Sequence, residues 1–238
     1  LISETKQGLQ RSLDKLHNYC NEWRLKINCD KSKVMMLSRS GKKSKATFWI
    51  NGQMLENVNR YTYLGVMVSA SGAVTDAKIN LRNKSRKAQF KLQSLICGTN
   101  IKKKVSLKLF DQLIQPIATY GCEYWGVPLN MNTIKEDKFD DLPQEKVHLS
   151  FMRFILGVSR HTTNNGVRGE LGRYPISIFI FSQVYKYLKR LYNKEGGCLL
   201  QRAFNEQLLL QGNQKSWLVV AQKIVSFPNS FCSTVEHF

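Results

Sequence analysis

The sequence predicts an α+β fold, a small antiparallel sheet or hairpin edge near the N-terminus followed by a mainly helical remainder. Three observations support this. A leucine stripe at helical spacing opens the chain, and Asn51-Gly52 sits between two apolar stretches as a strong hairpin signal. Every β-like pattern lies before Gly72, and from Thr75 onward the periodicity is helical.

Ser3 or Thr5 can cap a first helix, in which Leu9, Leu13, Leu16 and Cys20 recur at helical spacing through about residue 22. Arg24 to Ile27 alternates basic and apolar residues, as a short half-exposed strand does. Val34 to Leu37 is a continuous apolar run entered through the turn residues Asn28-Cys29-Asp30, which suits a buried strand. Ser38 to Lys45 is a basic loop containing Gly41. Ala46 to Ile50 and Gln53 to Leu55 flank Asn51-Gly52. A Tyr-, Val- and Thr-rich strand then runs from Val58 to Val68 and stops at Ser69-Ala70-Ser71-Gly72.

From Thr75, Leu81, Ser85, Ala88, Leu92 and Leu95 share one face of a helix ending near Gly98. A second helix from about Lys102 places Val105, Leu109, Leu113 and Ile114 on its apolar face and stops or kinks before Pro116. Ile117 to Trp125 reads as one further helix. Pro128 to Pro143 reads as a linker, with the acidic residues Glu136, Asp137, Asp140, Asp141 and Glu145 forming a solvated cluster. Beyond it, Val147, Phe151, Phe154 and Ile155 form a helix closed by Gly157, and Asn164-Asn165-Gly166 is a turn. Gly169 to Pro175 is irregular, Ile176 to Leu191 is a long helix ending before Gly196-Gly197, and Leu199 to Leu210 and Trp217 to Val225 are two more. The last dozen residues form a loose tail. The expected parts are 1–70, 71–127 and 128–238.

Thirty-six Lys and Arg against seventeen Asp and Glu leave a formal charge of +19 on 238 residues. A surplus of this size favours polyanions, nucleic acid first among them. It is concentrated: ten basic and no acidic residues lie from Lys78 through Lys108. The six cysteines are scattered without zinc or redox spacing. Cys97 and Cys122 stand in apolar settings that suit core packing, and a reducing compartment follows. The four histidines are isolated, and no nucleophile motif or phosphate loop is present. No apolar run reaches membrane-spanning length, and residues 1–5 lack the basic segment and apolar core of a signal peptide, so none is expected in this stretch. The expected location is intracellular, in the nucleus, the cytoplasm or both. The chain opens on Leu1 and is expected to be a fragment.

Trp23, Ile27, Asn28, Lys31 and Ser32, followed by Tyr63-Leu64-Gly65, resemble the end of the palm domain of non-LTR (LINE-like) retrotransposon reverse transcriptases. In that family an apolar-x-Asn-x-x-Lys-Ser/Thr segment follows a Trp, and an aromatic-Leu-Gly turn forms the primer grip. Residues 75 to 127 match the basic helical thumb in character, with Tyr120-Gly121 and Trp125-Gly126 as family-like positions. Phe154 to Val158 and Gly169 to Pro175 are similar to downstream segments of such enzymes. The resemblance implies a palm end with primer grip over 1–70, a thumb over 71–127 and a helical extension over 128–238.

It also implies roles. Lys31 approaches the phosphates of an incoming nucleotide, where a cation offsets pyrophosphate charge or donates a proton. Asn28 and Ser32 are better turn formers than ligands. Tyr63, Leu64 and Gly65 grip the primer. Lys78, Arg82, Lys84, Arg86, Lys87, Lys91, Lys102, Lys103 and Lys104 neutralise phosphates of an RNA/DNA primer–template duplex without reading bases. Lys42, Lys43 and Lys45 are weaker candidates. The family's metal-binding aspartates lie upstream of the first helix, so Mg²⁺ is expected in the intact polymerase and none on this chain alone. The Asp140-Asp141 pair follows the grip and is expected to be an ordinary acidic loop. The expected partners are the duplex and the upstream half of the polymerase, with no membrane. The chain alone is expected not to polymerise. The rival reading is a non-catalytic nucleic-acid-binding protein derived from a decayed or host-adopted element.

Overall fold

A computed structural model describes residues 1–38, 46–127, 136–193, 199–209 and 216–225, excluding the side chains of 136–138 and 223–225. Outside these lie Lys42, Lys43 and Lys45, the first half of the expected linker, Gly196-Gly197 and the C-terminal tail. The fold is α+β, with short strands confined to the N-terminal part and helices thereafter. The chain divides into two compact units, Leu1–Ala77 and Lys78–Phe238.

In the first unit, α1 (Lys6–Glu22) starts at Thr5, whose hydroxyl oxygen accepts the Gly8 amide at 3.0 Å. Its Leu9, Leu13 and Leu16 pack on Val34, Phe48, Ile50 and Leu55 to make this unit's core. β2 (Trp49–Ile50) and β3 (Gln53–Met54) form the expected antiparallel hairpin. Both central residues of its turn, Asn51 and Gly52, have positive φ, 50° and 71°, as a two-residue turn matched to strand twist requires. The Gln10 side chain from α1 docks on the β2 edge. Its amide donates to the Trp49 carbonyl at 2.8 Å and accepts the Trp49 N–H at 3.1 Å, satisfying edge groups that would otherwise be left open.

Two strand expectations change. Arg24 to Ile27 is not a strand, because those residues close α1. Arg24 takes a φ of 53°, its N–H donates to the Asn21 carbonyl, and the Leu25 N–H reaches back to Cys20 at 2.7 Å. That is the paired-bond helix stop that glycine usually makes. The Val34 run is also shorter than expected. β1 (Lys33–Val34) pairs in parallel with β4 (Glu56–Asn57), and Lys33 Nζ meets the opposite Glu56 at 2.5 Å.

The second unit is helical. α2 (Thr75–Ile96), which begins at the end of the first unit, runs to a stop where Gly98 has a φ of 78°. α3 (Lys103–Leu113) follows. The expected single helix after it is two short turns, α4 (Gln115–Ala118) with Pro116 in its first turn and α5 (Cys122–Trp125), separated by left-handed Gly121. α6 (Pro143–Leu156) ends at left-handed Gly157. Leu92, Phe110, Ile114, Val147 and Phe151 from α2, α3 and α6 share a core, with Ile114 bridging α3 and α4.

The expected faces of α2 and α3 hold in part. Leu81, Ser85 and Leu92 of α2 and Ile114 after α3 are buried as expected, but Leu95, Val105 and Leu113 are exposed, and Gln89 and Ser106 are buried in addition. Gln89 reaches Ser150 of α6 at 3.3 Å, so the neighbouring helix selects the face. Cys97 is exposed, but Cys122 is buried as expected. Burial, reinforced by the Glu123 charge, pushes the Cys122 thiol up to about 12.

Asn164-Asn165-Gly166 is no free turn. It opens α7 (Asn164–Leu171), which left-handed Gly172 stops. α8 (Ile176–Tyr192), α9 (Leu199–Leu209) and α10 (Trp217–Val225) enclose Val184, Leu188, Phe204, Leu218 and Val220. Among the described residues no helix is long and apolar enough to cross a membrane.

Candidate nucleic-acid interface

The Tyr63-Leu64-Gly65 segment lies at a turn, where the residue pattern alone predicts a continuous strand and the resemblance implies an aromatic-Leu-Gly turn. The predicted strand from Val58 to Val68 is instead a hairpin of β5 (Arg60–Tyr63) and β6 (Val66–Ser69), with Tyr61 opposite Val68 and Tyr63 opposite Val66. Leu64 and Gly65 are its two turn residues, with φ of 46° and 84°. Glycine enters this region freely, but a leucine there costs about 1–2 kcal/mol. Strain held at an exposed tip is a pointer to function. Tyr63 and Leu64 are 63% and 73% exposed, so an aromatic and an aliphatic side chain stand out at the turn.

Lys31 lies in a local turn. Its backbone N–H donates to Asn28 Oδ1 at 3.0 Å, and Ser32 Oγ donates to the Asn28 carbonyl at 2.8 Å. Asn28 and Ser32 thus shape the turn, and the Lys31 side chain is exposed.

The cations of α2 fall into two groups. Lys84, Lys87 and Lys91, spaced by three and four residues, share an exposed face with Arg86 beside them. Phe90, 66% exposed, lies among them. Lys78 and Arg82 turn the other way. The Lys78 ammonium lies 5.9 Å from the Trp125 ring centroid, a cation–π distance, and burial lowers its pKa. Arg82 Nε is buried without a hydrogen-bond partner among the described residues.

Lys102, Lys103 and Lys104 are exposed at the start of α3, and Lys102 makes no side-chain cap. Three cations at the positive end of a helix dipole oppose it, so an anion there would relieve the strain. The acids flanking this stretch are already engaged: Asp76 with Arg60 at 2.8 Å, and Asp111 with both Nη atoms of Arg173 at 2.9 and 2.7 Å.

The acidic cluster requires a correction. Asp140 and Glu145 are not a solvated loop. Asp140 lies in a 3-10 turn (Glu136–Asp141), accepts Asn164 Nδ2 at 2.6 Å and is paired with Arg168 Nη2. Glu145 is wholly buried in α6. Its Oε1 accepts Arg168 Nη2 and Nε at 2.8 and 3.2 Å, and its Oε2 accepts the Ile176 N–H at 2.6 Å. Pro175 carries no side-chain cap, so Glu145 takes that place at the start of α8. His148 Nδ1 lies 3.5 Å from Glu145, within charge-pairing distance, and its ring stacks on Phe110.

Burial alone would raise both carboxyls, yet both are held below their usual values. His148, Arg168 and the Ile176 amide outweigh burial at Glu145, and Arg168 and Asn164 do so at Asp140. A signal for this was present in the sequence. Glu145 falls in helical register with Leu149 and Met152, which are buried. Mg²⁺ does not fit here: both oxygens of Asp140 are occupied by nitrogen donors, and no three His, Cys, Asp or Glu gather among the described residues.

No family model matches the chain. It is 30% identical over 127 residues to a putative uncharacterized transposon-derived protein of Caenorhabditis elegans. It is 24% identical over 131 residues to the RNA-directed DNA polymerase from mobile element jockey of Drosophila melanogaster. The chain is related to mobile-element proteins. The matches cover 52% and 53% of this chain, but only 45% and 14% of those relatives. No solved structure matches.

Proposed function

We propose that this chain is part of a retrotransposon's RNA-directed DNA polymerase, where it grips a primer–template duplex of RNA and DNA. Residues 1–70 supply the end of the palm, 71–127 the thumb and 128–238 a helical extension. The observation that carries the reading is the cationic surface of α2 and α3. Lys84, Arg86, Lys87, Lys91, Lys102, Lys103 and Lys104 are all exposed, and no acid interrupts them in sequence. Such a surface neutralises phosphates at any sequence, as a duplex that slides during synthesis requires.

The strained tip at Leu64-Gly65 supports the same reading. A turn that carries exposed Tyr63 and Leu64 can lie against the primer backbone and its sugars. Lys31 would place its ammonium by the nucleotide's phosphates, offsetting charge on the departing pyrophosphate. The Mg²⁺ of the intact polymerase would be held by carboxylates of its upstream half, and the chain alone would not polymerise.

The test is a salt titration of the chain's affinity for an RNA–DNA hybrid, followed by addition of the upstream half with Mg²⁺ and a primed template. Salt-dependent binding and restored synthesis are expected. Affinity indifferent to salt would remove the duplex-binding reading. Tight binding with no synthesis in trans would replace the polymerase with a non-catalytic binder derived from such an element.

A further inference from the structure

Within the second unit, α5, α8, α9 and α10 surround a cavity of about 430 Å³, within the usual range for small-ligand sites. Its floor includes buried Leu191 and Phe204, and its walls carry Tyr124, Tyr187 and Trp217. The walls are fixed in place. Trp217 Nε1 donates to the Glu123 carbonyl at 2.9 Å, and the indole meets Tyr187 edge-on at 5.9 Å. Arg190 lines the same cavity with its guanidinium 5.2 Å from the Tyr187 ring centroid. Lys186 stands one turn before it on α8, and both are exposed.

An apolar floor alone would take any apolar body. Aromatic faces with a guanidinium at the edge select something narrower, a flat π-system that carries an anion. The chain's charge of +19 favours the same class of ligand. We infer that this cavity takes an unpaired base of a single-stranded nucleic acid. The base packs against the aromatic wall, and its backbone phosphate meets Arg190 and Lys186. Base–aromatic stacking tolerates sequence, because every base has a π-face. The Glu123 carboxylate can accept from an exocyclic amine. This site rests on different residues from the α2–α3 surface, so either can fail alone.

The probe is a short single-stranded oligonucleotide carrying one 2-aminopurine, whose fluorescence falls on stacking, titrated into the full chain. Ala203→Trp fills the cavity from an exposed position on α9. The expected result is loss of the fluorescence change and roughly ten-fold weaker single-strand binding, with hybrid-duplex affinity unchanged. A folded A203W that still binds and quenches like the wild type would overturn the inference. So would an equal loss for duplex and single strand, or displacement of the strand by an uncharged apolar dye but not by adenosine monophosphate. If A203W does not fold, Tyr124→Ala at the exposed wall decides on the same readouts.

Discussion

Arg168 reaches Glu145 through two nitrogens, Nη2 at 2.8 Å and Nε at 3.2 Å, and both end on one carboxylate oxygen. The other oxygen holds the Ile176 amide at the start of α8. One wholly buried acid therefore ties α6, α7 and α8 together. Breaking the buried pair leaves Arg168 with Asp140 alone as an acidic partner among the described residues, a loss of up to about 3–5 kcal/mol. Glu145→Gln keeps the volume and removes the charge, so it should lower the unfolding free energy of the helical unit, obtained by urea titration, by that amount. An unfolding free energy within about 0.5 kcal/mol of wild type would mean that the pair is not a fastening.

The same network sets an acid limit. Glu145 and Asp140 are held below their ordinary values of 4.5 and 3.8. A depressed folded value means the unfolded chain binds protons more readily. The stabilisation is therefore complete above those ordinary values and is lost as pH falls through the folded ones. Urea midpoints measured from neutral pH downward should hold level and then drop below about pH 4. Asp140→Asn should flatten part of that drop, and an unaltered profile would remove Asp140 from the account.

Local signals were legible and tertiary choices were not. The α1 stripe, the Asn51-Gly52 turn and the stops at Gly98 and Gly157 depend on residues close in sequence, and all appear as read. The residue pattern alone runs a strand through Leu64-Gly65, because leucine carries no signal for positive φ, and only the family resemblance marks a turn there. Asn164-Asn165-Gly166 reads as a turn by propensity, yet it opens a helix because Arg168, one turn on, must reach Glu145. For the same reason no local pattern separates Lys78, turned over Trp125, from Lys84 and Lys87 on the open face. The candidate interface was readable as a list of cations but not as a surface.

Leu64 gives a test that separates stability from grip. Its φ of 46° suits asparagine better than leucine. Leu64→Asn should stabilise the hairpin by about 0.5–1 kcal/mol, measured by thermal melting of the whole chain. The proposed grip predicts that the same change weakens hybrid-duplex binding, because an exposed aliphatic contact is lost. A variant that is more stable and binds equally well would leave the strain without a binding role.

The two groups of α2 cations should separate in salt. Each lysine that neutralises a phosphate contributes close to one unit of slope in log affinity against log salt. Replacing Lys84, Lys87 and Lys91 together with Gln should therefore lower the slope by about three and leave the melting temperature nearly unchanged, since all three are exposed. Lys78→Gln should do the reverse. Its ammonium sits over Trp125, with burial lowering its pKa, so the substitution should alter stability and keep the slope. Equal slopes in all three proteins would show that phosphates are met elsewhere. A loss of slope in Lys78→Gln would mean that its ammonium leaves the Trp125 ring when nucleic acid binds.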